Sequence, residues 1–335
     1  MKKNLCISGL GQISATGQGI KNLQKHLEGN FLPEVNFKKI KTVAGEQQVP
    51  GLLTPEVTIP SFIPDAVARR MSRLSRMCFA AVDEALTDCF SEAPRTAERM
   101  GLVVGSAYGS LDLANSFGER VQLDGIGAAS PSLFASSVQN SIASHLSITF
   151  NIQGPASTIM TVEQTTMAAF RQAYDWIQED IVDHVIVVIG DEISEYHSYF
   201  MAHAESDGSL NFKSDICTAM MGEGAVCFII SNLACTAKSY AEITDIRLAD
   251  EMGEIPARAS KNLIASYGQK NQYSQYQKYL GLELKLESHL RLYGSVLMGG
   301  AFEVLFAALL MKTDQVDRAC YQLTSHGLMQ SIYLK

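Results

Sequence analysis

The chain has 335 residues, 47% of them hydrophobic and 19% charged, and a formal net charge of −8. It is long enough to bury a large core, as two ordinary domains or one duplicated α/β unit, and too apolar to be intrinsically disordered. The acidic balance gives no general electrostatic footing for nucleic acid. No apolar run approaches the roughly 18 residues that would cross a bilayer, so a cytoplasmic protein without a membrane span is expected. The seven cysteines, Cys6, Cys78, Cys89, Cys217, Cys227, Cys235 and Cys320, include no C-x-x-C pair. They are expected as free, buried thiols, with no disulfide framework, no metal and no cofactor.

In chain order, Asn4 to Ser8 predicts a strand, followed by a glycine turn (GLGQISATG) and a helix through Ile20 to Leu27. Gly9, Gly11 and Ser14 imitate a dinucleotide fingerprint, but the third glycine is missing and no strand ending in an acid follows at the expected distance. Phe31 to Pro60 carries four prolines and few periodic runs, and reads as a long surface connection. From Asp65 the pattern is helical, with Met71, Leu74, Cys78, Ala81, Val82 and Leu86 on one face. Arg69, Arg70, Arg73 and Arg76 lie largely off that stripe, either as a solvated basic face or as a dock for an acidic carrier or partner subunit.

Met100 to Ser106 is short and apolar enough for a buried strand, and its serine is misplaced for a G-x-S-x-G hydrolase elbow. Ser157 to Val162 predicts another strand, turning sharply at Glu163-Gln164 into a helix with Met167, Phe170, Tyr174 and Ile177 on one face. Such a turn exposes helix N-terminal N–H groups that favour an anion, and many α/β enzymes hold a nucleophile there. His184 to Ile189 is a buried strand ended by Gly190-Asp191-Glu192, Asp207 to Ser214 is loop-like, and Met221-Gly222-Glu223-Gly224-Ala225 runs into a strand over Val226 to Ile230. A second half begins near Lys238, with strands at Ala241 to Leu248, Asn262 to Ser266 and Ser331 to Leu334. It also has a helix through Gln272 to Leu284 and a small-residue helix from Met298.

The stretch Gly154-Pro155 through Ile159 and Thr161, followed by a small-residue helix, resembles the nucleophile elbow of β-ketoacyl synthases, the condensing enzymes of fatty-acid and polyketide synthesis. Pro131, Asn140, Ala143 and Leu146 stand where that family has P-x-x-F/x-x-S-x-x-N-x-x-A-x-x-L, and the G-E-G-A at Gly222 to Ala225 is a further likeness. The resemblance implies a thiolase-like α/β fold with duplicated halves in α-β-α-β-α layers, over residues 1–236 and a compact 237–335. The second half is shortened, with only ADEMGEIPARASK where the family usually has a helix.

The family's catalytic residues are absent. Glu163 stands at the acyl-accepting cysteine, Tyr267 falls on the first histidine in one register, and Gly294 or Ser295 falls on the second. Glu163 cannot form a thioester, and without imidazoles there is no stabiliser for the enolate. Neither His289 nor His326 is expected to compensate. The resemblance therefore implies a chain-length-factor type of subunit, inactive alone, that pairs with an active ketosynthase and shapes its acyl tunnel, closer to aryl polyene than to aromatic polyketide systems. Acyl carrier protein is a further candidate partner. In such proteins the strand before the elbow, here Ser157, Thr158, Ile159, Met160, Thr161 and Val162, pairs across the dimer axis. Leu111, Leu113, Leu133, Phe134 and Ser137 are tunnel or interface candidates, or ordinary core. Two alternatives remain open: a rewired decarboxylase or acyltransferase using Glu163, and an independent acyl-binding homodimer.

Overall fold

Runs such as His184–Asp191 (HVIVVIGD) have no polar face, so they fold only where helices cover both sides of the sheet. The computed structural model describes residues 2–42, 45–69, 71–90, 99–199, 221–250, 262–265, 285–287, 289–294, 300–314, 318–323 and 329–335. In chain order the elements used below are β1 (Leu5–Ser14), α1 (Ile20–Gly29), β3 (Asn36–Thr42), β4 (Gly45–Leu52), α2 (Asp65–Ala68), α3 (Arg73–Phe90), β5 (Met100–Gly105), α4 (Leu111–Asp124), α5 (Pro131–Ser137) and α6 (Ser141–Thr149). They continue with β6 (Ala156–Ile159), α7 (Thr165–Gln178), β7 (His184–Asp191), β8 (Met221–Gly222), β9 (Gly224–Asn232), β10 (Ala241–Asp250), β11 (Asn262–Ala265), β12 (Lys285–Glu287), α8 (Leu290–Tyr293), α9 (Ala301–Asp314), β13 (Arg318–Leu323) and β14 (Met329–Leu334). A two-residue strand, β2 (Gly17–Gln18), pairs with the end of β1.

Among the described residues the main sheet runs β12-β11-β13-β14-β10-β1-β9-β7-β5-β6. Outward from its middle, each side repeats one pattern. β6, β5 and β7 are parallel, then β9 and β1 antiparallel. Likewise β12, β11 and β13 are parallel, then β14 and β10 antiparallel. β1 and β10 meet antiparallel at the centre.

Side-chain alternation sorts the core into layers. Ile186 and Val188 of β7 face α3 and α6, while Val185, Val187 and Ile189 face a second cluster containing α7 and α9. That second cluster also holds Ile243 and Ile246 of β10 and Ile332 and Leu334 of β14. α7 and α9 thus form a middle layer, and α9 is buried on all sides from Ala301 to Leu309. This is the thiolase-like ketosynthase fold.

Several expectations are corrected. β1 does not stop at Ser8. Gly9 and Gly11 lie inside the strand, where α3 crosses it so closely that a Cβ on Gly11 would sit 2.0 Å from the Ala81 carbonyl oxygen. The apparent dinucleotide glycines are therefore helix–strand packing glycines. Phe31–Pro60 contains the hairpin β3–β4, which pairs onward with β8; its inward apolar residues reduce to a few such as Ile40 and Val49, too sparse to show a period. The helix from Asp65 is broken into α2 and α3, because the Ser72 hydroxyl accepts a hydrogen bond from Ser75 N–H at 3.0 Å and starts α3 afresh. β6 ends at Ile159 rather than Val162, and β12 and β13 were not anticipated. Cys235 is exposed and Cys89 half-buried, unlike Cys6, Cys78 and Cys227.

The helix over Gln272–Leu284, the loop at Asp207–Ser214 and most of ADEMGEIPARASK lie outside the described residues, as do Arg70, Tyr267, Ser295 and His326. No helix of the described residues is long and apolar enough to cross a membrane.

Gly11→Ala forces a methyl group into the α3 backbone and is expected to cost about 2–3 kcal/mol, read as a lower midpoint in urea unfolding. An unchanged midpoint would show that α3 can retreat freely.

Candidate functional site

The site grows from the edge of the sheet. β6 lies parallel to β5 and pairs with no other strand among the described residues. Thr158 on it has its hydroxyl buried without a hydrogen-bond partner among them. The chain then turns at Thr161, Val162 adopts φ +50°, and Val162–Gln164 form one 3-10 turn leading into α7. A β-branched residue at positive φ is rare and strained. The turn is pinned by Gln164 N–H donating to Thr161 O at 3.1 Å and Thr161 N–H donating to Thr165 Oγ1 at 3.1 Å. Glu163 is half-buried in the first turn of this unit, where the helix end favours negative charge.

Opposite the elbow lies the loop after β5. Asp191 Oδ1 accepts from Ser106 Oγ at 2.6 Å and Ala107 N–H at 2.9 Å. Gly109, at φ +68°, leaves room beside the Met160 methyl. Tyr108 packs on His197 at 5.0 Å between ring centres, and Ser194 Oγ and His197 Nδ1 are 3.0 Å apart. Burial lowers the His197 pKa, which favours the neutral ring.

Between β8 and β9, G-E-G-A supplies a buried acid. Glu223 is 1% exposed, and its Oε1 accepts from Thr54 N–H (2.9 Å), Thr54 Oγ1 (3.0 Å), Arg73 Nε (2.9 Å) and Arg73 Nη2 (2.5 Å). Its Oε2 accepts from Ile193 N–H at 3.2 Å. Arg73 thus engages its guanidinium with Glu223 while its side chain stays 43% exposed, and Arg76 donates to Ala68 O at 3.1 Å. Arg69 is exposed. The glycine before Glu223 permits a close backbone approach: a Cβ on Gly222 would lie 1.7 Å from Tyr293 O.

Gly294 is where the second histidine was expected, and aromatic rings fill the space beside it. Tyr293 stacks on Phe302 at 4.4 Å and donates to the buried carboxylate of Glu303, while His289 stacks on Phe306 at 4.3 Å. His289 is thus engaged in ring packing. The roles of Glu223, Glu303 and His197 were missed from sequence. G-E-G-A marked Glu223, but the partners of the two glutamates, Arg73 at 150 residues' separation and Tyr293 at ten, leave no local signal.

The other expected residues cluster at one side. Leu111, Leu113, Leu133 and Ser137 are half-buried and Phe134 is 54% exposed, so none is core in this chain. Ser157, Thr158, Ile159, Met160 and Val162 are half-buried and Thr161 exposed along β6 and the elbow.

Residues 33–234 match the model of the β-ketoacyl synthase N-terminal domain. The chain belongs to the β-ketoacyl synthase family. It is 27% identical over 161 residues to 3-oxoacyl-[acyl-carrier-protein] synthase 2 of Vibrio cholerae serotype O1, covering 48% of this chain and 39% of that protein. The Vibrio harveyi enzyme is 26% identical over the same length. Each match spans well under half of the curated relative. Solved structures share the fold over the whole chain. The ishigamide ketosynthase/chain length factor superposes with TM-score 0.76 at 16% identity, covering 99% of each chain. The ketosynthase ApeO in complex with its chain length factor ApeC, from Xenorhabdus doucetiae, gives 0.77 at 16%, covering 99% of this chain and 98% of that one. A β-ketoacyl synthase from Burkholderia phymatum gives 0.79 at 15%, covering 99% of each chain.

Two variants test the buried acids around the start of α3. Arg73→Met removes the charge partner of a buried carboxylate and is expected to cost about 2–4 kcal/mol, measured by chemical denaturation; a neutral effect would mean that the backbone donors alone hold Glu223. Glu192 is buried, Leu74 N–H donates to its Oε2 at 2.9 Å, and Oε1 has no partner among the described residues. Burial, then Asp112 and Glu223, raise its pKa from 4.5 to about 7. The unfolded chain therefore loses this proton first, and the stabilisation present below about pH 4.5 is lost as pH rises to about 7. Glu192→Gln should flatten this window and raise stability at pH 8, as compared by urea melts at pH 4.5 and 8.

Proposed function

We propose that this chain is the non-catalytic, chain-length-factor type of subunit in a condensing complex, pairing with an active β-ketoacyl-carrier-protein synthase and shaping the tunnel in which that partner grows a polyene- or polyketide-type chain. The observation that carries this reading is an unburied excursion. α4, the 3-10 turn Ile126–Ala128 and α5 contain no buried residue, although they include Leu113, Phe117, Val121, Leu123, Ile126 and Phe134. Leu123 is 82% and Ile126 84% exposed. From Gly125 to Val162 there is no Asp, Glu, Lys or Arg, and the depletion of charge is the composition of an interface core. Among the described residues β6 pairs with β5 alone, and its other edge, which borders the same segment, would be satisfied by a strand from a partner.

The chemistry supports a partner rather than self-sufficiency. A glutamate at the elbow offers no thiolate, and the Tyr293–Gly294 region offers no imidazole, so neither acyl transfer nor enolate stabilisation has its group. Relatives named as ketosynthase and chain length factor complexes share the fold at full length. The repeated strand pattern supports halves meeting near residues 236 and 237. Glu163 serves as a fixed anion at the helix end, stabilising a strained turn rather than reacting.

Co-expression with a condensing partner should yield a one-to-one complex on size exclusion, with carrier-bound malonyl elongation requiring the partner's cysteine. Glu163→Ala should lower the stability of the complex by about 1 kcal/mol and leave elongation running. Turnover of malonyl-carrier substrate by this chain alone would overturn the reading in favour of chemistry at Glu163, and a stable homodimer that ignores the partner would favour an independent acyl-binding protein.

A further inference from the structure

A cleft of about 680 Å³ opens where β3, the segment after β4 and the start of α3 meet. Thr54, Ile193 and Glu223 are its buried lining, and Phe37, Lys39 and Pro55 its exposed lining. The bonds of Glu223 to Thr54, Arg73 and Ile193 fix three of its walls to one buried acid. A cleft of this size, already formed, takes a small molecule at little cost in reorganisation.

Three cations line it, and two of them keep donors to spare. Lys38 is engaged, because its ammonium donates to Ile193 O and, at 3.3 Å, to Asp112 Oδ2. Arg73 uses Nε and Nη2 on Glu223 and Thr54, whereas Nη1 makes no hydrogen bond among the described residues and the side chain is 43% exposed. Lys39 makes neither a hydrogen bond nor an ion pair among them. Strand alternation puts Phe37 and Lys39 on one face of β3, opposite buried Ile40, so an aromatic ring and a cation stand side by side. Besides Glu223, the one carboxylate in the lining is the exposed Glu34.

We infer that this cleft binds a small amphiphilic monoanion, a free carboxylic acid with an apolar chain, its head on Arg73 Nη1 and Lys39 and its chain along Leu53 and Phe37. Guanidinium and ammonium donors make charge-assisted bonds to a carboxylate, and the half-buried Leu53 with the Phe37 ring offers apolar surface to the chain. A multiply charged ligand such as a nucleotide phosphate fits less well, because Glu34 and Glu223 line the same walls. The inference stands on the cleft alone and does not depend on the proposed function.

Equilibrium dialysis of radiolabelled octanoate against the full chain tests it, with octanol and inorganic phosphate as comparison probes. Lys39→Glu and Phe37→Ser change exposed side chains of the hairpin, and each is expected to weaken octanoate binding about tenfold while leaving the urea midpoint unchanged. Octanol, which lacks the charge, and phosphate, which lacks the chain, should each bind at least about tenfold more weakly than octanoate. Wild-type affinity in both variants overturns the inference, because the acid would then sit elsewhere in the chain. Octanol or phosphate binding as tightly as octanoate overturns it too, as does the lack of any saturable octanoate binding.

Discussion

The buried carboxylate of Glu223 is the constraint around which this molecule is arranged. An unpaired ion there would cost several kcal/mol, so every group that can reach it is recruited: the backbone and hydroxyl of Thr54 after β4, the guanidinium at the start of α3 and the N–H of Ile193 after β7. Three segments distant in sequence are fixed to one point. The flanking glycines extend the effect, because Gly222 lets the backbone press against Tyr293 and Gly224 lets it press against Ile13. The junction of these segments is thus rigid whether or not the chain takes part in any reaction.

That rigidity extends to the neighbouring packing. The position beside Gly294 is filled by stacked rings, and Tyr293 donates to the acid of α9, so the space is neither an empty polar cavity nor a site for an unsatisfied group. The elbow keeps its strained Val162 and its helix end. A glutamate is tolerated there because the helix end favours an anion, the same property that suits the family's thiolate.

Stability and exposure divide the surface. The face built from α4, α5 and β6 has apolar side chains, no charge beyond Gly125 and a strand edge unpaired among the described residues, whereas the cleft at β3 and α3 combines apolar side chains with cations. A large apolar surface whose charges are confined to α4 suits a permanent contact.

The sequence by itself determined the sheet-and-helix alternation and the elbow, because apolar periodicity and short glycine motifs are local. β5, β7 and α7 emerge directly from such runs, and the identity of residue 163 needs no coordinates. Tertiary structure alone decided the rest. The missing third glycine already argued against a phosphate at Gly9 and Gly11, but only the fold shows that they make way for Ala81 and Ala85. The β3–β4 hairpin had too few inward apolar residues to declare itself. Arg73 reads as a surface cation until the fold brings Glu223 beneath it, since a pairing across 150 residues is set by chain topology and not by any neighbour in sequence.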